Sequence, residues 1–181
     1  MFFNKQIFSR QWVDNIHKIA SSYDLIQGDS IAVAEYSSSL VTEDYKMKII
    51  PIHKHKDVQE SLNRVALGAN KEKYGFNVWH TIDMVQYTQY DGETKDQYTW
   101  HCDSLWYGRP SVQKLTLIVG LTEKDSYEGG VLEFINRKPL QYKLTAGEVV
   151  VFPSIVHHRV TPVTKGKRNT LVAWYHGPRW M

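Results

Sequence analysis

Along the first third of the chain, apolar residues recur at helical spacing. Trp12, Val13, Ile16, Ile19 and Ala20 form one stripe between Ser9 and Ser21, as the buried face of a helix requires, and Ser9 is placed to cap it. Val58, Leu62, Val65, Ala66 and Ala69 form a second stripe, with Asp57 as its expected cap. Beyond Tyr74-Gly75 the pattern changes to short runs rich in Val, Ile, Thr, Tyr and Trp. Asp91-Gly92, Gly108-Arg109-Pro110, Gly129-Gly130, Ala146-Gly147 and Lys165-Gly166 divide them. These runs predict strands over 76–90, 97–103, 112–121, 130–135, 140–144, 148–152, 158–163 and 168–176. About eight strands without helices between them fit a sandwich or jelly roll better than a parallel sheet. Segment 30–50 has mixed strand and loop character.

A chain of 181 residues, 42% hydrophobic and 13% aromatic, holds enough apolar material for one core but not for two ordinary domains. One domain over 1–181 is therefore expected, helical to about 75 and β over about 76–176. Net charge is only +3 from 22 basic and 19 acidic residues, which gives little reason to expect a nucleic-acid partner. The amino terminus lacks a basic segment followed by a long apolar run, and nowhere do about 18 apolar residues run uninterrupted. A soluble, cytoplasmic protein with no membrane association is the expectation. A single cysteine, Cys102, rules out an intrachain disulfide and is consistent with a reducing compartment. Its simplest reading is a small buried residue on the back of its strand.

His101-Cys102-Asp103 closes the strand-like run Gln97-Tyr98-Thr99-Trp100. Strand side chains alternate, so His101 and Asp103 point the same way and Cys102 points away. A third imidazole from another strand would complete the two-histidine, one-carboxylate face that leaves open positions on non-haem iron. Two candidates follow, His157 and His158, each with a cation ten residues later, Lys167 and Arg168 respectively. Spacing alone does not choose between them. A guanidinium at 168 can hold the distal carboxylate of a dicarboxylic acid through two charge-assisted hydrogen bonds. His53 and His55, among Lys46, Lys48, Lys54 and Lys56, read as a solvated basic face.

These motifs occur in a fixed order: His101-Cys102-Asp103, then Asp125 to Leu132 with Gly129-Gly130, Ala146 to Ser154, His158-Arg159-Val160-Thr161-Pro162-Val163, and Gly166-Lys167-Arg168. Over roughly 85–176 the chain resembles the iron- and 2-oxoglutarate-dependent dioxygenases of the prolyl 4-hydroxylase type, including their small bacterial and phage members. The resemblance implies a mainly β protein with N-terminal helices, folded as a double-stranded β-helix, the cupin-like jelly roll. It implies His101, Asp103 and His158 as catalytic ligands of Fe(2+), and its His-x-Val-x-Pro-Val context selects His158 with Arg168. By the same resemblance Arg168 anchors 2-oxoglutarate, Tyr90 contacts it, and Tyr98 and Trp174 line the substrate pocket. Oxygen would be the second co-substrate, ascorbate an accessory cofactor, and a prolyl residue in a peptide or protein the substrate. Segments 30–50 and 104–110, the latter with Trp106-Tyr107-Gly108-Arg109-Pro110, are candidate lids. One departure stands out: relatives often carry a tyrosine or other large residue supporting the distal carboxylate where this chain has Gly120, and Thr116, on the same strand face, is the candidate replacement.

Two other readings follow from the same residues. The scaffold also serves nucleic-acid and small-molecule oxygenases, the former favoured by a strongly basic mouth lined with stacking aromatics. A non-enzymatic, cupin-like metal- or acid-binding module would instead fill every coordination position.

Overall fold

The computed structural model of the protein describes residues 2–27, 45–79, 84–104, 111–135 and 140–179. It is mainly β. The main antiparallel sheet runs, in spatial order, β1 (Phe3–Gln6), β10 (Glu148–Pro153), β6 (Ser111–Gly120), β13 (Lys167–Pro178), β4 (Met84–Asp91), β3 (Lys46–Pro51) and β2 (Ile26–Gln27). A second antiparallel sheet orders β5 (Tyr98–His101), β11 (His158–Val160), β8 (Leu132–Phe134) and β9 (Leu140–Tyr142). A short ribbon pairs β7 (Glu128–Gly129) with β12 (Val163–Lys165). Helices α1 (Arg10–Ala20) and α2 (Lys56–Ala69) precede most of the strands.

Strand alternation divides the main sheet into two chemically different faces. Odd-numbered residues of its central strands, among them Val85, Tyr87, Leu115, Leu117, Val119, Leu171, Ala173 and Tyr175, form one core with Val13 and Ile16 of α1 and Val58 and Leu62 of α2. Even-numbered residues line a cavity instead: Gln86, Thr88 and Tyr90 on β4, Thr116 and Ile118 on β6, and Arg168, Thr170, Val172 and Trp174 on β13. A second core joins this side to the smaller sheet through Ile118, Val150 and Phe152 against Leu132, Phe134 and Val160. Each such fully buried side chain contributes roughly 1.5–3 kcal/mol. The site is thus walled by two sheets and backed by two helices.

Several boundaries differ from the sequence reading. Ser9 does cap α1, its side chain accepting from the Trp12 N–H at 3.2 Å. Asp57, expected as the cap of α2, lies inside its first turn, where a carboxylate complements the helix dipole. Residues 76–79 have no regular structure, 80–83 lie outside the described residues, and β4 starts at Met84. The run 158–163 is two strands, because after Val160 the chain leaves the second sheet and resumes pairing at Val163; Pro162 between them has no N–H to give a ladder. The amino-terminal part is not purely helical either: β1 and β3 extend the main sheet at its two ends. Four residues such as Phe3–Gln6 carry too little alternation to be read as a strand. Of the candidate lids, 30–44 and 105–110 lie outside the described residues, and 46–51 is strand β3. Among the described residues no helix is long and apolar enough to cross a membrane.

Candidate active site

Adjacent strands β5 and β11 set His101 directly opposite His158, with ring centroids 4.2 Å apart. Each imidazole has its Nδ1 close to a backbone carbonyl two residues earlier, Thr99 at 2.8 Å and Val156 at 3.0 Å. A carbonyl only accepts, so Nδ1 carries the proton and Nε2 presents a lone pair. The pleat does not carry Asp103 as expected, because β5 ends at His101. Asp103 is instead held from the backbone: its N–H and that of Ser104 donate to the Ser154 carbonyl at 2.9 and 3.1 Å. Its Oδ1 then lies 3.5 Å from His101 Nε2 and its Oδ2 3.8 Å from His158 Nε2.

The ligand atoms of these three residues all lie within 4.8 Å of one another. Converging lone pairs with no proton between them repel, and a cation relieves that repulsion. Two imidazoles and one carboxylate are the donor set that suits ferrous iron with open positions. His157, just before β11 begins, is exposed, and Lys167 is exposed and paired with Asp91 Oδ2 at 3.0 Å. The geometry therefore brings His158 and Arg168 to the cavity and leaves His157 and Lys167 outside it.

Burial pushes the His158 imidazole down to about 4, against the opposing pull of Asp103. For Asp103, burial pushes the carboxyl up, but His158, His101 and the Thr116 hydroxyl more than offset it and hold it at about 2. In the metal-free protein the imidazole is neutral when folded and titrates at its ordinary value near 6.5 when unfolded. Its contribution to stability is thus complete above that value and lost as pH falls towards 4, a loss of about 3 kcal/mol. Melting the metal-free protein across this window should show the decline, and His158→Gln should flatten it; identical slopes for the two proteins would exclude a buried neutral imidazole.

At the far end of the cavity, six residues along β13 from the Trp174 that pairs with Thr116, lies Arg168, only 2% exposed. β13 places it opposite Tyr90, its guanidinium 5.1 Å from that ring. Its Nε has no hydrogen-bond partner, and among the described residues no carboxylate pairs with it. Tyr98 stacks on His101 with centroids 3.7 Å apart, and Trp174 joins the wall with its indole N–H unpartnered.

Sequence reasoning missed the aliphatic lining residues and four polar or aromatic ones. Gln86, Thr88 and Thr170 were legible in principle, since they alternate with Tyr90 and Arg168 along their strands. Tyr45 carried no signal, yet it packs on Tyr90 and Tyr98 at 5.5 and 5.0 Å and closes the wall between them. Two further expectations change. Cys102 is partly exposed rather than buried, its Sγ 3.9 Å from the Ser104 carbonyl. Thr116 does not face an anchor for the distal carboxylate; its hydroxyl is engaged by Asp103. Tyr127 is instead the aromatic hydroxyl next to Arg168, whose charge opposes the upward push of burial on the phenol.

A β sandwich that encloses two imidazoles, a carboxylate and a distant buried guanidinium defines a non-haem metal oxygenase architecture. Residues 85–176, about half of the chain, match the model of the 2OG-Fe(II) oxygenase superfamily, and the chain belongs to that family. PKHD-type hydroxylases of Synechococcus sp. and Teredinibacter turnerae are 35% and 40% identical over 81 and 82 residues, covering 44% and 42% of this chain. Both alignments span only 36% of those relatives' length. A viral collagen prolyl hydroxylase from Paramecium Bursaria Chlorella virus-1, solved with 2OG, matches with a TM-score of 0.72 over 98% of this chain and 96% of that one. At 15% identity that likeness speaks for the fold alone.

Proposed function

We propose that the chain is a single-domain Fe(II)- and 2-oxoglutarate-dependent dioxygenase, built on a double-stranded β-helix, that hydroxylates a prolyl residue in a peptide or protein. The observation that carries this reading is the cavity itself, with His101, Asp103 and His158 converging at one end and the uncompensated Arg168 at the other. In it, His101, Asp103 and His158 hold the iron, Arg168 and Tyr90 hold 2-oxoglutarate, and Tyr98 and Trp174 orient the substrate. Bound there, ferrous iron with 2-oxoglutarate supplies the oxygen-activating chemistry, one oxygen atom going to the substrate and the other to succinate. The chain's own residues supply orientation: the carbonyls of Thr99 and Val156 fix the imidazoles, and Arg168 neutralises the distal carboxylate. Tyr45, Tyr98 and Trp174 exclude water from the reacting end.

A prolyl substrate is what the ordered motifs from His101 to Arg168 imply through their resemblance to the prolyl 4-hydroxylase type. Arg168 is the one Lys or Arg among the described residues lining the cavity, which favours a dicarboxylate and a neutral ring over a polyanion such as nucleic acid.

Anaerobic loading with ferrous iron followed by 2-oxoglutarate tests the site without a guess at substrate. Wild type and His157→Ala should develop the visible charge-transfer band of the chelate, and His158→Ala should not. Absence of the band from loaded wild type would sink the oxygenase reading. Prolyl peptides would then be screened for a one-oxygen mass gain matched by succinate.

A further inference from the structure

Thr116 and Ser154 are polar side chains with no solvent exposure at all. Thr116 Oγ1 lies 2.5 Å from Asp103 Oδ2 and 2.9 Å from Ser154 Oγ. An ionised carboxylate can only accept, so Thr116 donates its single proton to Asp103 and its oxygen must then accept from Ser154. The charge on Asp103 thus sets the sense of both hydrogen bonds. Ser154 is itself anchored, its N–H donating to the Lys114 carbonyl at 3.0 Å while its own carbonyl receives the N–H groups of Asp103 and Ser104. Asp103 is therefore held twice by the turn after β10, once through its backbone and once through Thr116. Thr116 stands in the middle of the main sheet, paired on one side with Phe152 and on the other with Trp174. The histidines come from the smaller sheet, so this hydroxyl pair ties the two halves of the site together.

We propose that Thr116, backed by Ser154, is a positioning residue that occupies Oδ2 of Asp103 and leaves Oδ1 to bind the metal. The inference rests on the assignment of His101, Asp103 and His158 as the metal site. A proton donated to Oδ2 competes with a cation for that oxygen and stops the carboxylate from rotating. Ligation through one oxygen alone keeps open the position that a bidentate carboxylate would take from co-substrate or oxygen. Outer groups of this kind set ligand orientation and metal affinity.

Mn(II) serves as the probe, its free fraction read from the electron paramagnetic resonance signal during titration of the full chain. Thr116→Val, which keeps the volume and loses the hydroxyl, should bind Mn(II) about 10–100-fold more weakly than wild type. Thr116→Ser, which loses the methyl and keeps the hydroxyl, should bind within about threefold of wild type, and Ser154→Ala should fall between them. A packing role predicts the reverse order, valine near wild type and serine impaired, and that order overturns the proposal. Should Thr116→Val not fold, Ser154→Ala decides, since undiminished affinity there removes the relay. If wild type binds no Mn(II), the metal-site assignment falls and this inference with it; if wild type and Thr116→Val bind equally, only the inference falls.

Discussion

Arg168→Met is expected to weaken 2-oxoglutarate binding by about a hundredfold to ten-thousandfold while leaving metal affinity close to wild type. Two charge-assisted hydrogen bonds to the distal carboxylate contribute roughly 1.5–3 kcal/mol each, and about 1.4 kcal/mol is a factor of ten. Burial makes the upper part of that range accessible, since Arg168 is 2% exposed and no described carboxylate competes for it. Pyruvate, which lacks the distal carboxylate, is the control. Wild type should discriminate between the two acids by about the same factor, and Arg168→Met should bind both equally. The metal-free variant should melt no lower than wild type, because the substitution removes a buried charge that lacks an ion-pair partner. Anaerobic titration of the iron-loaded proteins measures the affinities; a variant that still prefers 2-oxoglutarate would place its anchor elsewhere.

A tyrosine at position 120, the replacement that the family resemblance suggests, should not improve the co-substrate site but should destabilise the protein by about 3 kcal/mol, lowering its melting temperature by about 6–12 °C. The reason lies in the backbone. A Cβ at Gly120 would enter the van der Waals envelope of the Thr145 carbonyl oxygen and press on the Leu144 side chain, while the Gly120 carbonyl accepts the Gly147 N–H at 2.9 Å. The chain from Leu144 to Gly147 thus occupies the space a side chain would need, and Tyr127 donates to the Leu144 carbonyl at 3.2 Å. Gly120→Ala should already show most of the loss, since the first carbon makes the clash. Melting near the wild-type temperature for both variants would mean that the turn yields readily and that Gly120 is a choice of side chain, not of backbone. The hydroxyl beside Arg168 is that of Tyr127, while Thr88 and Thr170 share the cavity wall, with Thr170 directly opposite Gly120.

Much of this is legible in the sequence, for identifiable reasons. The buried faces of α1 and α2 are long enough for a helical period to repeat, and Ser9 caps the first through a local hydrogen bond. β6 and β13 are ten and twelve residues long, so their alternation survives an irregular position. Arg168 shares the cavity with His101, Asp103 and His158 because each stands in or next to a strand whose position its own flanking residues announce. Short strands and edge pairing were less visible: β1 has four residues and β12 three, and what makes them strands is the partner, not their own pattern.

By itself, then, the sequence determined the mainly β class, the two helical stripes, and the candidate metal and co-substrate residues, since each depends on residues close together or on a motif order the chain carries openly. Spacing alone left two adjacent histidines open and the motif context pointed to His158, whereas tertiary structure alone decided that Asp103 is held by Ser154 and Thr116 instead of by the pleat of its own strand. It also decided that Tyr45 closes the wall and that backbone fills the space over Gly120. Those outcomes depend on contacts between residues tens of positions apart, whose distance and direction are set when two sheets pack and are written in no local stretch of the chain.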